Sequence, residues 1–109
     1  VVASEAHPLA AIELAESVAT SDVPGGVVNV LTGLREELAP ILAAHMDVNA
    51  IVYGDPDAGA SRRIQELAAD NIKRVILRGG LDWNSGAAQG PYSIRDTQET
   101  KTTWHPVGN

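Results

Sequence analysis

The chain of 109 residues contains no cysteine and no phenylalanine, and aromatic residues make up only 4% of it. The absence of cysteine excludes a disulfide, a thiolate metal site and a cysteine nucleophile within these residues. The scarcity of aromatic residues leaves Ala, Val, Ile and Leu to build the core, which favours α/β or all-α packing. Hydrophobic residues account for 44% of the chain, enough for one small domain.

Basic residues are also few, since 8 Lys and Arg stand against 14 Asp and Glu and give a formal net charge of −6. Nucleic-acid binding depends on clusters of Lys and Arg that neutralise phosphates, so this balance argues against such a partner. No stretch approaches the roughly twenty apolar residues of a membrane span, and no signal peptide opens the chain. We expect a cytoplasmic protein without a membrane partner, and the start at Val1 suggests a piece of a longer chain.

Residues that could hold a metal or carry out catalysis show no local pattern. His7, His45 and His105 are too scattered for a sequence-local metal site. A calcium loop beginning at Asp55 would place a glutamate at its twelfth position, but its sixth position is Ala60, where such loops need glycine. Neither a Ser-His-Asp triad nor paired carboxylates are suggested by spacing. We therefore predict no metal site and no catalytic residue from these patterns.

Helical and strand patterns alternate along the first 80 residues. The predicted helices cover Pro8 to Thr20, Arg35 to Ala44 and Ala58 to Ala69, and the predicted strands cover 1–3, 27–31, 49–53 and 74–77. Such alternation is typical of βαβ units and predicts an α/β fold with a parallel sheet. In the first helix, Leu9, Ile12, Ala15 and Val18 recur at helical spacing and are expected to face the core. Pro40 predicts a kink or a later start in the second helix.

The sequence changes character after Gly80. The stretch LDWNSGAAQGPYS is rich in Gly, Ser and Asn without periodicity and predicts a loop. The final stretch, IRDTQETKTTWHPVG, has β-forming residues and few core candidates, which indicates an exposed C-terminal strand that needs a partner. We therefore divide the chain into an α/β domain, 1–80, and an arm, 81–109, expected to serve oligomerisation.

Ligands of open parallel sheets bind outside the carboxyl ends of the strands. The turns at those ends are Ser4-Glu5, Thr32-Gly33, Gly54-Asp55 and Arg78-Gly79-Gly80. None matches GxGxxG or GxxxxGK[ST], so their glycines are better explained as the ends of strands than as phosphate-binding loops. The run VILRGG raises the question of what Arg78 does at the exit of a buried strand.

Four stretches, VVASEAHPLAAIELAE, VPGGVVNVLTG, LAAHMDVNAIVYGD and IKRVILRGG, resemble in order and spacing the cofactor-binding domain of the aldehyde dehydrogenase superfamily. The resemblance covers about Val1 to Gly80 and implies a Rossmann-like parallel sheet with flanking helices, with NAD or NADP across its strand ends. It also implies a catalytic domain whose cysteine forms a thiohemiacetal with the aldehyde. The tail SIRDTQETKTTWHP is similar to the family's C-terminal strand, which pairs with a neighbouring subunit.

The cofactor-binding residues implied by this resemblance are Ser4, Glu5, Gly33, Gly54 and Asp55. The family's Lys-Pro-Ser-Glu corresponds here to Ala3-Ser4-Glu5, so the ribose-binding glutamate is kept and the lysine is lost. Because a carboxylate disfavours a 2′-phosphate, NAD is expected over NADP. The family's Phe-Thr-Gly-Ser corresponds to VYGD, in which Asp55 is expected to cap the next helix and to repel a pyrophosphate. NAD binding is therefore expected to be weak or lost.

The family's Leu-Glu-Leu-Gly-Gly, which carries the general base, corresponds here to Leu77-Arg78-Gly79-Gly80. Arginine cannot accept a proton, so the resemblance implies a catalytically incomplete pseudoenzyme that serves in assembly, with itself or with a dehydrogenase paralogue. Two alternatives remain open. The chain is the C-terminal part of an active NAD-dependent aldehyde dehydrogenase whose missing parts lie upstream or on another chain, or it is a cofactor-binding module without redox chemistry.

Overall fold

The computed structural model describes residues 1–108 and divides into two compact units, a first unit of Val1–His45 and a second unit that begins at Met46. The elements are α1 (Leu9–Ala19), α2 (Arg35–Ala44), β1 (Ala50–Tyr53), α3 (Ala58–Ala69), β2 (Arg74–Leu77) and α4 (Tyr92–Thr97). The predicted α/β class with a Rossmann-like parallel sheet and flanking helices is confirmed, in a small two-stranded form. Asn109, the last residue of the predicted arm, lies outside the described residues. The predicted domain boundary at residue 80 stays a prediction.

In the first unit, two extended segments pair in parallel at one bridge between Val2 and Leu31. The N–H of Ala3 donates to the carbonyl of Leu31 at 2.9 Å. The strand predicted over 27–31 is reduced to this pairing because its first residues form part of a turn. In that turn the N–H of Val27 donates to the carbonyl of Pro24 at 3.3 Å. The carboxyl ends of the two segments nevertheless lie side by side, as in a parallel sheet.

Helix α1 lies where the sequence predicts it, but only two of its four predicted core residues face the rest of the protein. Ala15 and Val18 are partly buried as expected, together with Ala11. Leu9 and Ile12 are 79% and 38% exposed, so the prediction that they face the core is wrong. The helix turns its small residues inward, and the larger aliphatic side chains remain at the surface.

Helix α2 has the predicted bounds and includes Pro40. Glu36 and Glu37 in its first turn complement the positive end of the helix dipole. Pro40 has no N–H to donate within the helix, yet the helix continues to Ala44. Its best-covered residue, Ala43, has no exposed surface.

The second unit is built on a βαβ motif. β1 and β2 pair in parallel, with Ala50 opposite Arg74 and Tyr53 opposite Leu77. α3 is the crossover between them, and it packs on β2 with Ile64 among its buried residues. Because a parallel pair requires such a crossover, the predicted order of strand, helix and strand fixes this arrangement.

Helix α4 lies in the region for which the sequence predicts a loop and a strand. Its residues Ile94 to Thr97 are helical rather than extended, and 98–108 form no strand with any other described residue. Pro91 occupies the N-cap position, and the guanidinium of Arg95 lies 4.9 Å from the ring centre of Tyr92, three residues earlier. These local interactions outweigh the weak β-propensity of the sequence.

Candidate functional site

Three of the five predicted cofactor-binding residues meet in the first unit. Ser4, Glu5 and Gly33 follow the paired residues Val2 and Leu31, at the carboxyl ends of their segments. Oε1 of Glu5 accepts the N–H of Arg35, the first residue of α2, at 2.5 Å. The hydroxyl of Ser4 accepts the N–H of His7 at 3.2 Å. Glu5 and Gly33 therefore lie at the N-terminus of α2, whereas Ser4 shapes the turn that leads into α1.

Glu5 provides α2 with the capping group that its own sequence lacks. Leu34, at the N-cap position, makes no side-chain capping bond. The carboxylate of Glu5 supplies both an acceptor for a helix N–H and a negative charge at the positive end of the dipole. A carboxylate offers about four lone-pair sites, so Glu5 keeps acceptor capacity for the hydroxyls of a polyol such as ribose.

Gly33 is required by the connection into α2. Its φ of 150° lies in a region that L side chains rarely adopt, and an added Cβ would stand 3.2 Å from Cδ1 of Leu38. The backbone therefore approaches Leu38 closely just before α2. This confirms the importance of glycine here for local geometry, while its contact with a cofactor stays a prediction.

The other two predicted residues, Gly54 and Asp55, lie in the second unit between β1 and α3. Oδ1 of Asp55 accepts the N–H of Asp57 at 2.9 Å, and Oδ2 accepts the hydroxyl of Tyr53 at 3.4 Å. Asp55 therefore shapes the turn that leaves β1. The expectation that it caps the following helix is wrong.

The cap of α3 is Asp57, which the sequence analysis missed. Its carboxylate accepts the N–H of Gly59 at 3.3 Å and of Ala60 at 2.8 Å. The signal was available, because aspartate directly before the first helical residue is a preferred N-cap. Two carboxylates, rather than one, therefore stand at the entrance of α3.

The loops after β1 and β2 are in direct backbone contact. The N–H of Arg78 donates to the carbonyl of Tyr53 at 2.8 Å and extends the pairing of the strands. A Cβ on Gly79 would stand 2.5 Å from the carbonyl oxygen of Asp55, which no side chain could tolerate. Beside this contact, Cζ2 of Trp83 lies 3.9 Å from the position of a Cβ on Gly54.

Arg78 holds α4. Its guanidinium forms an ion pair with the carboxylate of Asp96, and both side chains are less than a third exposed. Arg74, four residues earlier on β2, donates to the carbonyl of Asp96 at 3.0 Å and to that of Gln98. Residues four apart share one side of a strand, so both cations reach the carboxyl end of α4, where the helix dipole favours them. Asp96 gave no local signal, since it lies far along the chain from Arg78.

Two functional features are not found among residues 1–108. They contain no group of three or more His, Asp or Glu residues that could hold a metal ion. Their helices include none that combines the length and apolar character needed to cross a membrane.

A parallel βαβ unit whose loops gather at the carboxyl ends of the strands places the second unit in the class of layered α/β domains, whose ligands bind at that edge of the sheet. The sequence pattern of the aldehyde dehydrogenase family matches residues 1–82, and the chain belongs to that family. The NADP/NAD-dependent aldehyde dehydrogenase PuuC of Escherichia coli K12 is 35% identical over 77 residues, which are 71% of this chain and 16% of that protein. The mitochondrial aldehyde dehydrogenase of Leishmania tarentolae is 35% identical over 77 residues, with the same coverage.

The chain thus spans about a sixth of the length of these curated relatives. No solved structure is significantly similar to it. The family is therefore established by sequence, and the activity of a complete family member is not thereby transferred to this chain.

Proposed function

We propose that this chain is a catalytically incomplete aldehyde dehydrogenase-like subunit that acts in assembly. The observation that carries the proposal is the ion pair between Arg78 and Asp96, which fixes a cation where the family resemblance implies the general base. A guanidinium stays protonated and cannot accept a proton from water. The 109 residues also lack a cysteine to attack an aldehyde. The cytoplasmic location expected from the sequence is part of this proposal.

The donor groups at α3 do not fit the pyrophosphate of NAD. A phosphate at a helix N-terminus binds to free backbone N–H groups. Here the N–H groups of Gly59 and Ala60 donate to Asp57, and the N–H of Asp57 donates to Asp55. Two carboxylates would also repel the anion. This supports weak or lost NAD binding. In this proposal Ser4, Glu5 and Gly33 hold the ribose part, and Gly54 and Asp55 shape the turn that follows β1.

Replacing Asp57 with serine tests the repulsion directly. Serine keeps an oxygen that can cap α3 and removes the negative charge. We expect NAD to bind the unaltered chain no more tightly than about 1 mM, and the variant to bind severalfold more tightly, in isothermal titration calorimetry. Asp70→Asn, at the other end of α3, removes the same charge and should leave the affinity unchanged. Tight NAD binding by the unaltered chain would contradict the weak-binding part of the proposal.

Light scattering after size-exclusion chromatography tests the assembly role. The chain is measured alone and mixed with a full-length aldehyde dehydrogenase, for which the Escherichia coli relative is a suitable choice. We expect a defined oligomer in at least one of the two samples. A monomer that remains a monomer in both would remove the assembly role.

A second candidate function is favoured by the comparison with curated relatives. The chain matches 16% of PuuC at 35% identity. In this second candidate function it supplies part of the cofactor-binding domain of an active NAD-dependent enzyme whose other parts lie upstream or on another chain. This candidate requires NADH formation from NAD and an aldehyde by the whole assembly, and the loss of that activity in Glu5→Ala. The absence of NADH formation across a broad aldehyde panel would exclude it.

A further inference from the structure

One side of α1 is both aliphatic and acidic. Leu9, Ile12, Glu13 and Glu16 are three or four residues apart along the helix, so they share one side of it. All four are exposed, Leu9 by 79% and Ile12 by 38%. These four residues are called the α1 face below.

Helix α1 gains little stability from the contacts it makes within the chain. It has eleven residues, none of them buried, and no side-chain bond caps its start at Pro8. Isolated helices of this length are marginal in water and depend on packing of an apolar side. Its partly buried side offers Ala11, Ala15 and Val18, whose side chains are small. A contact that covered Leu9 and Ile12 would therefore stabilise the helix.

The charge around α1 identifies the chemistry of the contacting surface. No lysine or arginine occurs between Val1 and Leu34. The whole first unit has six carboxylates against Arg35, a net charge of −5, whereas the rest of the chain carries the remaining −1. A complementary surface is therefore apolar at its centre and carries Lys or Arg at its rim.

We propose that the α1 face docks on such a basic-rimmed apolar surface of a different polypeptide. The inference rests on the assembly role proposed above and gives that role a surface. A second copy of this chain is a poor occupant, because two α1 faces would bring Glu13 and Glu16 against the same carboxylates.

The proposal is tested with a synthetic helical peptide that carries leucines on one side and lysines beside them, and with its counterpart in which glutamates replace the lysines. We expect the Leu/Lys peptide to bind saturably, one per chain, in isothermal titration calorimetry, and the Leu/Glu peptide not to bind. Leu9→Ser should weaken binding by about tenfold. Leu14→Ser is the matched control, since Leu14 is 54% exposed on the other side of the same helix and should change binding by less than about twofold.

A second pair of variants keeps the test informative if Leu9→Ser loses helix content in circular dichroism. Glu13→Gln/Glu16→Gln should weaken the binding of the Leu/Lys peptide by about tenfold. Asp70→Asn/Glu99→Gln makes the same change in net charge and should change that binding by less than about twofold. Equal effects of the two double variants, or binding of both peptides alike, would overturn the proposal.

Two further results separate this inference from the proposed function. A dimer of the chain that Leu9→Ser breaks and Leu14→Ser leaves intact would place a second copy on the α1 face and overturn the inference, while the assembly role would stand. A failure to bind the full-length dehydrogenase bears on the assembly role alone, because the peptide titrations decide whether the α1 face exists as a docking surface.

Discussion

Gly79 is the residue at which the two strand-end loops of the second unit come closest. A methyl group there would stand 2.5 Å from the carbonyl oxygen of Asp55 and 3.1 Å from Cα of Pro56, both of them backbone atoms that cannot swing aside. We expect Gly79→Ala to lower the free energy of unfolding by about 2 kcal/mol in urea titrations. Gly86→Ala is the control, because a Cβ on Gly86 has nothing within 4 Å. Similar effects of the two substitutions would contradict the close approach.

Arg78 is held by Asp96 and holds α4 in turn. Arg78→Glu would place two carboxylates against each other, so we expect a loss of about 1 kcal/mol of stability and the release of α4. The same variant restores the residue type of the family's general base, yet we expect no NADH formation from the isolated chain, since it contains no cysteine. Turnover by Arg78→Glu alone would overturn the assignment of the chain as catalytically incomplete.

The double variant Arg78→Glu/Asp96→Arg supplies the control for this ion pair. It exchanges the positions of the positive and the negative charge, so an ion pair can still form. We therefore expect it to recover most of the stability that Arg78→Glu loses. A double variant no more stable than Arg78→Glu would show that the pair contributes little and that α4 depends on Arg74.

Among the secondary-structure elements, α3 ends in a motif that its sequence fits poorly. The N–H of Lys73 donates to the carbonyl of Ala68 and that of Ile72 to Ala69, and Ile72 has φ 56° with 95% of its surface exposed. This left-handed position usually belongs to glycine, and a β-branched residue is strained there. We expect Ile72→Gly to raise the free energy of unfolding by about 1 kcal/mol in urea titrations.

Ile72→Ala distinguishes relief of backbone strain from removal of an exposed aliphatic side chain. Alanine also removes the side chain but keeps a Cβ, so we expect much less stabilisation from it than from glycine. Equal stabilisation by both would assign the effect to the side chain and contradict the backbone explanation.

The elements that the sequence predicts well are those with complete local signals. α3 lies between the Asp-Pro-Asp turn and β2, and its bounds agree with the prediction, as do those of α2 and β2. α4 was missed because its local interactions cover one short turn, and because the contacts of Arg74 and Arg78 that add to them lie too far apart in sequence to leave a periodic pattern. The exposed position of Leu9 was missed for a related reason, since helical spacing shows which residues share a side and does not show which side is covered.

The candidate site likewise has features that local sequence predicts and features that depend on distant residues. The glycine at 33 and the turn at Gly54 could be located from strand-end chemistry alone, because backbone geometry there is local. The role of Glu5 could not, since it bonds to a helix that begins thirty residues later. Asp57 rather than Asp55 caps α3 because the cap must directly precede the first helical residue.

At the scale of the whole molecule, charge is distributed unevenly between the two units. The first unit carries −5 of the net charge of −6, and Glu16 lies in the last turn of α1, where the negative end of the helix dipole also opposes it. Its carboxylates repel one another and the helix end, and added salt screens this repulsion. The first unit should therefore be the part of the chain whose stability depends most on ionic strength.

Glu16→Gln tests this dependence. Removing one carboxylate from the first unit should raise the helix content of α1 and the stability by about 0.3 kcal/mol in low salt, measured by circular dichroism in urea titrations, and by clearly less in high salt. Glu99→Gln makes the same change in the net charge of the chain within the nearly neutral second unit, and it should produce no salt-dependent difference. If both substitutions gave the same salt-dependent gain in stability, the repulsion would belong to the chain as a whole. A gain in stability confined to Glu16→Gln would show that α1 folds against repulsion among the carboxylates of the first unit. A basic partner would relieve that repulsion.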